Sequence, residues 1–290
     1  MILVQAALTG ALVGGLYAVM AVGLSLGWAT LRIINLAHFG LIGLGGYLTL
    51  ELATRLGINP LLTVVVSAPL LFLAGALLQW LFQRFAVAEF NSLLISFGIL
   101  IVILQLVSNV WSADFQRMGG SVNPYAGQAL RLGQLAFPMP TLIAFGIAVT
   151  IVVGGHLALT RTYAGRALRA FAHDREIAAA FGIDHRRLGV MVAGLAGASA
   201  AGAGLLFSLG SSLTPSLPFE WVGIVFAIVI LGGIGNVVGT LLAGMLVSIV
   251  AALVSVIWTP AVAPFVVFSL VIAALLFRPR GLFTTGASQG

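Results

Sequence analysis

The chain has no cysteine and no lysine in 290 residues, and its net charge of +6 rests on thirteen arginines set against seven carboxylates. Without cysteine there can be no disulfide, no thiol nucleophile and no cysteine-ligated metal. Charged residues make up 7% of the chain and hydrophobic ones 61%, and the mean hydropathy is strongly positive. Such a composition lies outside the globular range and describes a chain dissolved in lipid. In a soluble protein the arginine excess would suggest nucleic acid; here the arginines flank apolar runs and orient them. The phosphate loop GxxxxGK[ST] is absent, as are HExxH, GxSxG and paired mid-membrane aspartates, so neither ATP hydrolysis nor intramembrane hydrolysis is expected of this chain. The first 30 residues carry no basic leader and no small-residue cleavage site, so they read as a first span rather than a removable signal.

What the sequence does have is a succession of apolar runs. A span takes about 20 residues, and clear candidates fall near 3–27, 61–82, 92–110, 140–160, 189–210 and 261–277. Two stretches are less simple. Residues 31–50 carry Asn35 and His38 among Gly40, Gly43, Gly45 and Gly46, while residues 219–257 are too long for one helix and are broken at LGGIGNVVG. The expected fold is an all-α polytopic transmembrane bundle of about eight to nine spanning segments with broken helices, forming a single transmembrane domain over 1–290.

The densest arginine cluster, Arg161, Arg166, Arg169, Arg175, Arg186 and Arg187, predicts a cytoplasmic loop over about 161–188. Counting outward puts the segment from Arg84 to Asn91 and the tail from Arg278 inside. The segment from Trp111 to Pro138 then lies outside, as an irregular loop too small for a domain. Within the inner loop, Asp174 can cap a short helix whose first turn holds Glu176 and whose end is set by Gly182. Its arginines and small apolar face suit docking into a partner's groove, against the plainer reading of a solvated, topology-setting loop.

Glycine pairs at four-residue spacing, Gly10 and Gly14, Gly23 and Gly27, Gly235 and Gly239, read as ordinary helix packing within one bundle. The two interrupted segments sit in opposite halves of the chain. Unwound backbone at membrane depth is tolerated only inside protein or beside water, so the pair points to a transport pathway. Its candidate residues are Asn35, His38 and Phe39, with Ser96 and Gln105 from an apolar helix. For His38, both a pathway role and a brace to a neighbouring carbonyl stay open; for Ser96 and Gln105 the structural reading leads. Glu220, beside Trp221, reads as an interfacial anchor, and Arg32 is expected at an interface or facing a pore. No mid-membrane carboxylate of the kind used by ion-coupled carriers is present, which disfavours that alternative.

These residues carry a resemblance. GLYAVMAVGLSLGWATLRIINLAHFG, NSLLISFGILIVILQ, GRALRAFAHDREIAAAFGID, LGGIGNVVGTLLAGMLVSIVAAL and FRPRGLF occur in this order, and the chain resembles the permease subunits of branched-chain amino acid ABC importers, specifically the shorter of the two paired permease types. The resemblance implies a non-enzymatic, multi-pass permease of the bacterial inner membrane with a cytoplasmic C-terminus. It binds no cofactor itself; ATP and Mg are used on two ATP-binding partner subunits. A second permease, in a heterodimer or homodimer, and a periplasmic solute-binding protein complete the expected assembly, with no nucleic acid. By the same resemblance, the segment from Glu176 to Gly182, with Ala179, corresponds to the coupling helix that sits in a groove of the ATPase, and Arg166, Arg169 and Asp174 belong to that docking region. One departure bears on substrate: where the family's histidine is typically followed by Gly-Glu, His38 is followed by Phe39 and Gly40. Branched-chain or other amino acids are the expected cargo, with urea, amides and small carboxylic or aromatic acids open beside them.

Overall fold

The computed structural model describes residues 1–173, 178, 182, 184–278 and 281–283. They form a helical bundle with one small hairpin. In chain order the elements are α1 (Ile2–Leu31), α2 (Ala37–Leu56), a 3-10 turn (Pro60–Thr63), α3 (Val64–Arg84), α4 (Glu89–Trp111), β1 (Ala129–Leu132), β2 (Leu135–Pro138), α5 (Met139–Arg161), α6 (Tyr163–His173), α7 (His185–Gly210), α8 (Leu217–Gly232), α9 (Val237–Ile257) and α10 (Ala263–Phe277). Among the described residues, six helices are long and apolar enough to cross a membrane: α1, α3 with its preceding turn, α4, α5, α7 and α9. The shorter α8 and α10 are apolar throughout. The chain is thus an all-α, multi-pass membrane protein.

The helix α1 is the axis of the bundle. Its 30 residues reach about 45 Å at 1.5 Å per residue, more than the hydrocarbon thickness, and it packs against α5, α7, α8 and α9. In lipid there is little hydrophobic drive between helices, so close backbone approach must supply the packing. At the α1–α9 crossing a Cβ on Gly14 would stand 2.5 Å from Met245 Cα, and one on Gly244 2.6 Å from the Gly14 carbonyl oxygen. The Gly10 and Gly14 pair therefore packs within the bundle.

Two sets of contacts define the ends of the bundle. At one end, Gln116 and Leu213 exchange backbone hydrogen bonds of 2.9 and 2.7 Å, Asn123 Nδ2 donates to the Leu209 carbonyl at 2.8 Å, and Ala136 N donates to Gln5 Oε1 at 3.0 Å. At the other end, Gln83 Nε2 donates to the Arg186 carbonyl at 3.2 Å, Gly235 N donates to Ser25 Oγ at 2.9 Å, and Asn236 Nδ2 donates to the Phe283 carbonyl at 2.8 Å. Both helix breaks lie at this second end. The segment from Trp111 to Pro138 is more ordered than the irregular loop expected from its composition: β1 and β2 pair antiparallel, with Leu132 opposite Leu135. Gly133, at φ 62, supplies the left-handed first position that such a two-residue turn requires.

Candidate functional site

The helix α1 ends because Arg32 turns left-handed, φ 56 and ψ 25, and returns its N–H to the Trp28 carbonyl. Residues 32–36 are not helical, and their backbone groups need partners that lipid cannot give. Neighbouring side chains supply them. Asn35 Oδ1 accepts from Ala37 N at 3.1 Å and starts α2, while Leu36 N donates to Ser96 Oγ on α4 at 3.0 Å. The Ser96 hydroxyl returns a hydrogen bond to the Leu93 carbonyl at 3.1 Å, with the Ile34 carbonyl at 3.3 Å. A serine of an apparently uninterrupted apolar helix thus braces the break 60 positions away in sequence.

His38 lies in the first turn of α2, 3% exposed, with Nε2 3.0 Å from the Met20 carbonyl oxygen on α1. A carbonyl only accepts, so this pairing assigns the proton to Nε2. The ring can stand there because residue 23 has no side chain. A Cβ on Gly23 would lie 2.8 Å from His38 Cε1 and would collide with Ser199 Oγ on α7. Gly23, Asn35, His38, Gln79 of α3 and Ala193 of α7 enclose a cavity of about 20 Å³, room for roughly one water. That volume is smaller than an amino acid. Gln79, 6% exposed, was hidden in a run that reads as a simple span; a lone amide there was the available signal.

The other candidates sit differently. Phe39 is fully buried and stacks on Phe226 of α8, ring centroids 6.1 Å apart. The Trp28 ring of α1 lies 5.7 Å from the Phe226 ring, centroid to centroid, so three helices share one aromatic cluster. A Cβ on Gly40 would lie 3.1 Å from Ile103 Cδ1 and 3.2 Å from Leu100 Cδ1, so α2 and α4 are in contact there. Gln105 stands apart: it is exposed, and its Nε2 donates to Asn109 Oδ1 at 3.1 Å along the outer face of α4. The structure therefore brings Asn35, His38 and Ser96 together, sets Phe39 in packed core beside them, and leaves Gln105 facing away. Glu220 is exposed in the first turn of α8, whereas Trp221 is buried against Phe207 at 4.8 Å.

At the same end of the bundle, α6 carries Arg166 and Arg169, both exposed. Arg169 lines a cleft of about 430 Å³ with Thr30 of α1 and with Ile234 and Gly235 of the α8–α9 turn. Ala178 is 3% exposed and belongs to one buried cluster with Leu31, Phe171, Val192 and Ala193, which joins it to the end of α1. Gly182 adopts φ 80, the left-handed conformation that commonly closes a helix. Asp174, Glu176 and Ala179 lie outside the described residues. The visible cap is Asp184, which starts α7 by accepting from Arg186 N at 2.9 Å and Arg187 N at 3.2 Å. The Arg187 amide holds its carboxyl below the usual aspartate range, with help from the Arg186 amide and the charges of Arg187 and His185.

The chain matches the family model described as branched-chain amino acid transport system / permease component over residues 6–276. It is 26% identical to the probable branched-chain amino acid transport permease protein LivH of Methanocaldococcus jannaschii, covering 95% of this chain and 91% of that protein. It is 26% identical to the high-affinity branched-chain amino acid transport system permease protein BraD of Pseudomonas aeruginosa, covering 96% and 94%. Against the Escherichia coli LivH permease it is 25% identical, with the same coverage of 96% and 94%. No solved structure matches the chain. These are transport proteins rather than enzymes, and the match runs nearly end to end: the chain belongs to the family of permease components of branched-chain amino acid transport systems.

Proposed function

We propose that this chain is the shorter permease subunit of an ABC importer, working as one transmembrane domain that moves a small polar solute from a periplasmic binding protein to the cytoplasm. ATP and Mg are handled by two partner subunits that dock on the 161–188 region, and a second permease completes the pathway. The arginines of that region favour placing its end of the bundle in the cytoplasm. The helices from α1 to α5 and from α7 to α10 then make nine passes through the inner membrane, with the N-terminus outside and the C-terminus inside.

The observation that carries this reading is the packing of Ala178 and Phe171 on Leu31. Ala178, within the segment that would follow an ATPase groove, shares a buried cluster with the last residue of α1, one position before the break. A shift of the docking segment around Glu176 and Ala179, flanked by Arg166, Arg169, Asp174 and Gly182, is passed to residues 32–36. There it alters the His38 and Ser96 contacts that hold the cavity shut. Asn35, His38 and Gln79 are the groups that meet solute as the cavity opens, and Phe39 shapes its wall through Phe226. Gln105 contributes from the outer face of α4 by meeting the second permease.

Branched-chain or other amino acids are the first substrate class, from the relatives' names. A second class, urea, amides and small carboxylic or aromatic acids, is favoured by the Gly40 contact: where the family typically carries a carboxylate, α2 lies against Leu100 and Ile103 and offers a cationic group no partner. The test is solute-stimulated ATP hydrolysis by the reconstituted complex, screened over both classes. Stimulation by leucine or its relatives supports the first class, stimulation only by uncharged or anionic solutes the second. Uptake driven by a proton or sodium gradient without ATP would overturn the ABC reading.

A further inference from the structure

A groove of about 480 Å³ runs between α3 and α7 near the end of the bundle that holds both breaks. Trp80, Gln83, Arg84, Arg186, Arg187 and Met191 line it. Trp80 is 51% and Met191 55% exposed, although both lie in long apolar helices. The two helices run antiparallel, and each places its cation nearer the end of the bundle than its apolar residue: Arg84 follows Trp80 by one turn on α3, and Arg187 precedes Met191 by one turn on α7. The groove is thus layered along the bundle, guanidinium groups toward its end and an indole and a thioether one turn further in.

The charge of the groove is unbalanced. Arg187 pairs with Asp184 at 3.1 Å, whereas Arg84 and Arg186 form no ion pair among the described residues, and no carboxylate lines the groove. The Gln83 amide bonds the Arg186 carbonyl across the two helices and fixes the spacing of its walls. A cation pair above an exposed apolar wall complements one kind of molecule, in which a phosphate is joined to a hydrocarbon chain. Basic pockets between transmembrane helices on the cytoplasmic side take anionic lipid headgroups for this reason.

We propose that this groove binds an anionic glycerophospholipid of the inner leaflet, its phosphate between Arg84 and Arg186 and an acyl chain along Trp80 and Met191. A free phosphate would leave the apolar wall unmet. The assignment to the inner leaflet rests on the orientation proposed above. Arg186 and Arg187 lie at the end of the 161–188 region proposed to meet the ATPase subunits, so lipid binding is measured on this chain without them.

The full chain, delipidated in mild detergent, is titrated with phosphatidylglycerol carrying brominated acyl chains, which quench nearby tryptophan. Saturable quenching is expected with phosphatidylglycerol and not with brominated phosphatidylcholine, and it should lose its main component in Trp80→Phe. At about 1 kcal/mol per arginine, Arg84→Gln with Arg186→Gln weakens binding by roughly thirtyfold; the double lysine variant stays within a few-fold, and Arg278→Gln, a charge change outside both the groove and the docking region, leaves it unchanged. Equal quenching by phosphatidylcholine, indifference to the double glutamine variant, or displacement by millimolar inorganic phosphate would overturn the proposal. So would unchanged lipid binding together with loss of the ATPase subunits in that variant, because the groove would then be a protein interface. A cysteine at position 85, labelled from one side or the other of sealed vesicles, checks the orientation separately, so that failure of topology and failure of lipid binding give different results.

Discussion

The two breaks in the bundle do similar geometric work with different chemistry. Residues 32–36 are fixed by side-chain contacts between helices: Ser96 from α4 takes the Leu36 amide, and His38 at the start of α2 reaches the Met20 carbonyl on α1. Residues 233–236 are a backbone device. Gly233 and Gly235 turn at φ 87 and 84, Asn236 caps α9 by accepting from Gly239 N, and Ser25 Oγ and the tail at Leu282 and Phe283 reach in. The first break depends on polar contacts between helices that can exchange, which suits a moving part; the second is a fixed turn that glycine permits. Both border α6, the first through Leu31 and Phe171 and the second through Arg169 and Gly235.

This contrast can be broken most sharply at Gly23. Gly23→Leu drives a side chain into His38 and Ser199, and overpacking of about 1–3 kcal/mol should abolish transport while the chain still inserts, as read by uptake in vesicles beside membrane yield. At the second break, Gly235→Val forces a β-branched residue into a left-handed turn with Ala29 Cβ 2.7 Å away. A loss of about 1–3 kcal/mol should appear as a lower unfolding midpoint, with any surviving protein coupling ATP to uptake normally. Ser96→Ala leaves the Leu36 amide without its partner; a loss of about 1–2 kcal/mol should appear chiefly as ATP hydrolysis uncoupled from solute. If that variant merely lowers stability, the first break is no more mobile than the second.

The smallest effect belongs to Asp184. Its pKa is held down in the folded state, so its contribution to stability is present at neutral pH and is lost as pH falls through the lowered value. Asp184→Ala should remove that acid-side slope from the stability profile and change little above it.

Much of this was legible in sequence. The long apolar helices, the turn at LGGIGNVVG and the irregular stretch around Asn35 follow from length, hydropathy and glycine placement, which are local properties. His38 and Asn35 announced themselves as polar residues in an apolar setting. Ser96 was visible by the same rule, but its role was not, because its partner is Leu36, fixed by the packing of α4 on α2. Gln105 followed the rule equally and faces outward. Helical phase relative to neighbours decides between the two, and one apolar helix carries too weak a pattern to reveal it. The β1–β2 hairpin escaped because its four-residue strands are shorter than any periodicity can register.

The central claim is that α6 and the first break move together while the second break serves as the fixed reference. The cysteine-free chain allows it to be measured directly, with spin labels at paired cysteines in the assembled transporter. Arg32, Ala170 and Ile234 are exposed. On binding ATP without hydrolysis, the distance between labels at 32 and 234 should change by several ångströms while that between 32 and 170 holds constant. A constant 32 to 234 distance, or movement confined to the 32 to 170 pair, would contradict the account.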